Sequence, residues 1–165
     1  MRRRPAGSTL FPGAARSRSA GLGGPAAEAA AAAAGPAALK ERLVQLLDSS
    51  SAEVQQGSLA LLGNLVTTVF EPQAAESLAQ LVAAGGLARL CRALESPYPS
   101  SVYAAACMQN VTSESVDCCR QLVSVGVVPV LERVVEAEDE QLADFAMRCL
   151  ANLEAFGLLT QDADA

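Results

Sequence analysis

Five cysteines are the residues of this 165-residue chain best suited to covalent chemistry: Cys91, Cys107, Cys118, Cys119 and Cys149. A thiol acts as nucleophile or metal ligand only as the thiolate, which usually needs a base or cation nearby. The usual base is missing, because the sequence contains no histidine. That removes Ser-His-Asp and Cys-His pairs and every His-containing zinc site. No Cys-x-x-Cys spacing occurs, and the odd count suits free thiols in a reducing compartment better than a disulfide framework. Cys107 and Cys149 fall at apolar positions, where cysteine packs as a small hydrophobe. The adjacent Cys118-Cys119 pair reads either as a thiol site or as two reduced thiols on a helix.

Two polar clusters have a similar double meaning. Asn110-Val111-Thr112 matches the glycosylation sequon, yet a helix end explains the same three residues. Glu136, Glu138, Asp139 and Glu140 would attract a cation or basic peptide. The plainer meaning is a solvated loop whose acids favour the N-terminus of the next helix. Nowhere do an acid, a base and a nucleophile converge by spacing. The expectation is a non-enzyme with no catalytic residues, no metal and no cofactor.

Composition says what kind of elements hold these residues. Hydrophobic residues make up 51% and aromatics only 4%, with no Trp and no Ile. A chain rich in Ala and Leu but poor in β-branched and aromatic residues is helical, and it lacks a stacking surface for nucleic-acid bases. The net charge of −6 is unevenly spread. Residues 1–27 carry five Arg and no acid, so residues 28–165 hold seven basic and eighteen acidic residues, a balance of −11. An acidic body argues against sequence-independent nucleic-acid binding. It is compatible with basic protein partners, or with solvation alone. Val54–Phe70 runs 17 residues without a charge. Its Gln55, Gln56, Asn64, Thr67 and Thr68 make it a buried helix rather than a membrane span.

Residues 1–37 hold half the Pro and half the Gly of the chain. This low-complexity leader is expected to be disordered. It reads equally as an Arg-rich transit peptide or as an untargeted tail, with a short Ala26–Ala34 helix broken at Gly35-Pro36. Beyond it the text repeats. Gln80-Leu81-Val82-Ala83-Ala84-Gly85 recurs 41 residues later as Gln121-Leu122-Val123-Ser124-Val125-Gly126. A second apolar run follows each glycine: Leu87, Leu90, Leu94 and then Val128, Leu131, Val135. An earlier version, Leu43, Leu46, Leu47, lacks its glycine. Gly85 and Gly126 are expected at sharp turns between helices, where only glycine reaches left-handed backbone without strain.

A polar loop and a longer helix complete each unit. Leu142, Phe145, Ala146, Cys149, Leu150 and Leu153 mark one helical stripe. Tyr103, Ala104, Cys107, Met108, Val111 and Val54, Ser58, Leu61, Leu62, Leu65 are its earlier copies, and the copies end in Asn152-Leu153, Asn110-Val111 and Asn64-Leu65. Ser50 with Glu53 predicts a capping box, and Ser100 after Pro97 and Pro99 predicts an N-cap.

A unit of about 42 residues built in this order is similar to the armadillo repeat. Gly126-Val127-Val128-Pro129-Val130-Leu131 resembles the start of that family's second helix, and Cys149-Leu150-Ala151-Asn152-Leu153 the end of its third. The likeness runs from about Leu39 to Phe156. It implies an all-α, right-handed α-solenoid with the disordered N-terminal segment attached. The expected boundaries are repeats at 38–73, 74–114 and 115–157, then an acidic tail at 158–165.

The resemblance also implies a function: a protein-interaction module that grips a partner protein or extended peptide along a concave face lined by third helices. By position, Asn64, Asn110 and Asn152 would reach peptide backbone, or else satisfy local backbone groups. The family's nuclear-import adaptors carry a Trp four residues before that Asn; here those places hold Ala60, Ala106 and Arg148. Ala106 and Arg148 therefore join the Asn residues as expected groove positions, without the family's aromatic grip. Other readings are a co-chaperone or exchange-factor-like regulator, and a structural subunit of an intracellular or organellar assembly. The expected partner is a protein, not nucleic acid or membrane. Self-association stays open, as does a cytoplasmic, nuclear or organellar location.

Overall fold

The structure, a computed structural model, describes residues 36–159. The expected Ala26–Ala34 helix, nearly all of the leader and most of the acidic tail lie outside the described residues. Among the described residues eight helices follow one another: α1 (Pro36–Leu46), α2 (Ala52–Leu65), α3 (Ala74–Ala83), α4 (Gly86–Ala93), α5 (Ser100–Glu114), α6 (Val116–Ser124), α7 (Val127–Val135) and α8 (Glu140–Ala155). No strand occurs among the described residues. Helices α3-α4-α5 and α6-α7-α8 are two full units of short, second and long third helix. Helices α1 and α2 are the second and third helices of a unit before them. Pro36 opens α1, a first-turn position where its missing N–H costs nothing.

The helix ends have local causes. The Ser51 hydroxyl accepts from Val54 N at 3.4 Å, that of Ser115 accepts from Cys118 N at 3.2 Å, and the Asp139 carboxylate accepts from Leu142 N at 2.8 Å. Two expected caps are thus corrected. Ser51, not Ser50, caps α2; α5 begins at Ser100 itself after Pro99, with no side-chain cap. The acidic loop finds its structural meaning in Asp139.

Gly85 and Gly126 take left-handed backbone, with φ of 69° and 84°, as their expected role requires. Gly86 beside the first turn is needed for a different reason: a Cβ there would lie 2.8 Å from the Leu81 carbonyl oxygen. Gly157 ends α8 in the same left-handed region. Its N–H bonds Glu154 O at 2.8 Å while Leu158 N bonds Leu153 O at 3.0 Å, the paired closure of a Schellman motif.

Long helix α5 packs between α2 and α8, while α1, α4 and α7 back the three long helices. Small residues at Ala104, Ala105, Ala106 and Cys107, all buried, let α5 approach both neighbours. Only Tyr103, Ser113 and Glu114 of α5 reach solvent in part. One apolar core runs through all three units, from Val44 and Leu47 through Leu62, Leu81, Leu90 and Met108 to Leu122, Leu131 and Leu153.

Candidate functional site

The third helices α2, α5 and α8 stand side by side, and the repeated asparagines tie them together. Asn110 Nδ2 donates to Gly63 O on α2 at 2.9 Å. Asn152 Nδ2 donates to Thr112 Oγ1 on α5 at 3.0 Å. Thr112 Oγ1 in turn donates to Gln109 O at 3.0 Å. Each amide therefore reaches back by one repeat, to the long helix before it.

This placement revises the expected groove set. Asn110 and Asn152 are fully buried and Ala106 is 2% exposed, so none presents its side chain at a groove edge. Both of these amide bonds cross between repeats. Asn64, at the matching position of α2, is half-buried, and its Oδ1 is enclosed without a hydrogen-bond partner. Arg148 is exposed on α8 and pairs with Asp144 at 2.9 Å. Ala60, at the matching position of α2, is buried like Ala106.

Three partners escape the sequence reading. Gly63 and Thr112 accept the amide bonds, and nothing in their spacing marks them as acceptors. Glu114 closes the connector after α2. Its carboxylate accepts from Thr67 Oγ1 at 2.7 Å, and from Thr68 N and Oγ1 at 3.1 Å each. On the backing layer, Asp48 pairs with Arg89 and Arg92, and Glu95 pairs with Arg133 at 2.7 Å. In both cases an acid just past one second helix meets an Arg on the next. The equivalence of Arg92 and Arg133, 41 residues apart, is the signal the sequence offers for these pairs.

Four of the five thiols are buried, and Cys91 is half-buried. Burial pushes Cys107, Cys119 and Cys149 up to about 12 and Cys91 up to about 11; Cys118 is also raised, again chiefly by burial. Cys119 Sγ donates to Thr112 O at 3.3 Å, and Cys149 Sγ sits 3.9 Å from Ala105 O. Burial thus disfavours the thiolate at Cys118 and Cys119 alike, and both side chains are buried on α6. Among the described residues, no group of three or more Cys, Asp or Glu is arranged to hold a metal ion, and no helix is long and apolar enough to cross a membrane. An open cleft of about 450 Å³ between α3 and α6, lined by Leu78, Val82, Glu114, Asp117 and Cys118, brings together two acids and a thiol but no base.

No family model matches this sequence, and no curated protein matches it. Solved structures do. An engineered protein from a structural-genomics programme is 30% identical with a TM-score of 0.63, covering 69% of this chain and 44% of its own. A designed armadillo repeat protein is 26% identical with a TM-score of 0.60, covering 70% and 47%. A computationally designed armadillo repeat protein for modular peptide recognition is 25% identical with a TM-score of 0.60, covering 70% and 46%. The chain spans less than half the length of each of these three structures. Their fold is that of the eight helices described above: the chain is an armadillo-like repeat solenoid.

Proposed function

We propose that the chain is a non-catalytic protein-interaction module that receives a partner protein, by an extended segment, across the side formed by α2, α5 and α8. The observation that carries this reading is the register lock between those helices, Asn110 to Gly63 and Asn152 to Thr112. A surface held rigid before binding loses little freedom on binding, which favours affinity. In this reading the buried asparagines position the surface, while Arg148 and half-buried Asn64 and Tyr103 meet the partner. A similar solved structure was designed for modular peptide recognition, which supports the choice of an extended segment. The balance of −11 over residues 28–165 favours a partner segment with basic residues. Reduced, buried thiols suit a reducing compartment, and we place the module in the cytoplasm.

The test is affinity purification of the tagged full chain, with bound proteins identified by mass spectrometry. A specific partner should be recovered, and Arg148→Glu should lower its recovery several-fold while helical content is unchanged. Recovery of nothing beyond a tag-only control would sink the adaptor reading.

A further inference from the structure

We infer that Ser96, on the loop between α4 and α5, is a phosphorylation site for a proline-directed protein kinase, and that Arg92 receives the phosphate. Of the eight prolines in the chain, Pro97 alone follows a Ser or Thr. Its loop, Glu95-Ser96-Pro97-Tyr98-Pro99, lies at the surface: Glu95 and Pro97 are exposed, Ser96 is half-buried and Tyr98 is 72% exposed. The next two serines, Ser100 and Ser101, are buried in the first turn of α5, so a serine kinase that reaches this loop meets Ser96. A residue before proline is kept away from helical backbone, which holds Ser96 out of α4. Turn bonds shape the loop, Ser96 N to Ala93 O at 3.2 Å and Ser100 N to Pro97 O at 3.0 Å, and its two prolines have no N–H to add. Such a segment opens locally at little cost, without unfolding either helix.

The surroundings of the Ser96 hydroxyl suit a phosphate. Gln55 Nε2 donates to Leu47 O at 2.9 Å and to Ser96 Oγ at 3.5 Å, so the hydroxyl lies beside the turn that carries Asp48. Asp48 holds Arg89 and Arg92, and Glu95 holds Arg133. Three guanidinium groups thus meet two carboxylates. One positive charge is left over at this joint, in a body whose balance over residues 28–165 is −11. Phosphoserine carries about −1.5 to −2 at pH 7 and offsets that excess. Arg92 is the group placed to turn to it, because its side chain is well exposed and Asp48 keeps Arg89 when Arg92 leaves. Asp48, Glu95 and the carbonyl end of α4 oppose the phosphate. A charge-assisted, bidentate guanidinium–phosphate pair outweighs them.

The phosphoryl donor is ATP. Ser96 Oγ attacks the γ-phosphorus, the Oγ–P bond forms as the bond to the bridging β–γ oxygen breaks, ADP leaves, and the hydroxyl proton passes to the kinase's base. This chain is the substrate and supplies no base of its own. The phosphate sits where the turn between α1 and α2 meets α4, at the joint between two units. The site does not depend on the concave-side reading above.

The test is incubation of the full chain with ATP and a proline-directed kinase, with the site read by mass spectrometry. One phosphoryl group should be added, at Ser96. Ser96→Ala should abolish the addition, and Pro97→Ala, which keeps the hydroxyl, should slow it at least ten-fold. Circular dichroism confirms that each variant is folded. The second readout is phosphorus NMR of the phosphorylated chain. The second ionisation of the phosphate should fall at lower pH than in the same chain unfolded in urea, and Arg92→Ala should move it back toward the unfolded value. No incorporation, equal incorporation by Ser96→Ala, or an unchanged rate in Pro97→Ala would overturn the site. An ionisation not lowered by folding, or unmoved by Arg92→Ala, would overturn the role of Arg92.

Discussion

At the scale of single residues, one residue type does the connecting, and its role is the least legible part of the sequence. The Asn at the end of each long helix is conspicuous by its repetition, but the amide looks the same whether it meets a peptide, its own helix or a neighbour. What decides is which helix lies opposite, and that is a property of stacking rather than of spacing. Asn110→Ala should leave Gly63 O buried without its donor, at a cost of about 1–3 kcal/mol. That is a large share of the roughly 5–15 kcal/mol typical of a domain. Urea unfolding measures it; an unchanged midpoint would mean that water replaces the amide. The thiols give a second residue-scale expectation. Cys107 and Cys149 are pushed from 9.0 up to about 12 in the fold. Below pH 9 they are protonated both folded and unfolded, so they add no pH dependence. Above it the unfolded chain loses those protons first, and stability falls as the pH rises toward 12. Urea midpoints at pH 8 and pH 10 should show the drop, and Cys107→Ala should make it shallower.

At the scale of elements, the sequence is far more readable, because turns and caps demand particular residue types. Left-handed backbone admits glycine at little cost, so Gly85 and Gly126 betray their turns. The period of apolar positions betrays the third helices for the same kind of reason. Cap positions are blurred where several candidates adjoin: Ser49, Ser50 and Ser51 all precede α2, and only the one whose hydroxyl reaches Val54 N serves. The charge-free run Val54–Phe70 is half right as a buried helix, since α2 ends at Leu65 and its outer stripe is exposed. No count of apolar residues separates the face that meets α5 from the face that carries the exposed Val54 and Leu61. Glycine substitutions test these distinctions together. Gly126→Ala should cost about 1–2 kcal/mol for its left-handed backbone. Gly86→Ala should cost more than that, because the new methyl meets the Leu81 carbonyl at 2.8 Å. Gly57→Ala should instead stabilise by up to about 1 kcal/mol, since the site is open and alanine is the better helix former. Equal effects at all three would contradict the assigned geometry.

At the scale of the molecule, a stacked-repeat architecture makes stability add up from the units and the interfaces between them rather than being one indivisible quantity. The surface ion pairs contribute little. Arg133 with Glu95 and Arg92 with Asp48 are all well exposed, and such pairs contribute roughly 0–1 kcal/mol. More comes from the two faces of α5, which meets α2 through Asn110 and α8 through Asn152. Helix α2 has one such face among the described residues, and so does α8. Local opening follows the number of faces, because a unit with one interface opens at the cost of one. Amide hydrogen exchange should therefore be slowest in α5 and faster toward α1 and the C-terminal end of α8. Asn152→Ala weakens only the α5–α8 interface, so it should speed exchange in α8 and α7 while leaving α1 and α2 close to their original rates. Uniform acceleration across all eight helices would instead mean that the stack opens as one cooperative unit. In that case the interfaces would be too strong, relative to the units, for the ends to open alone.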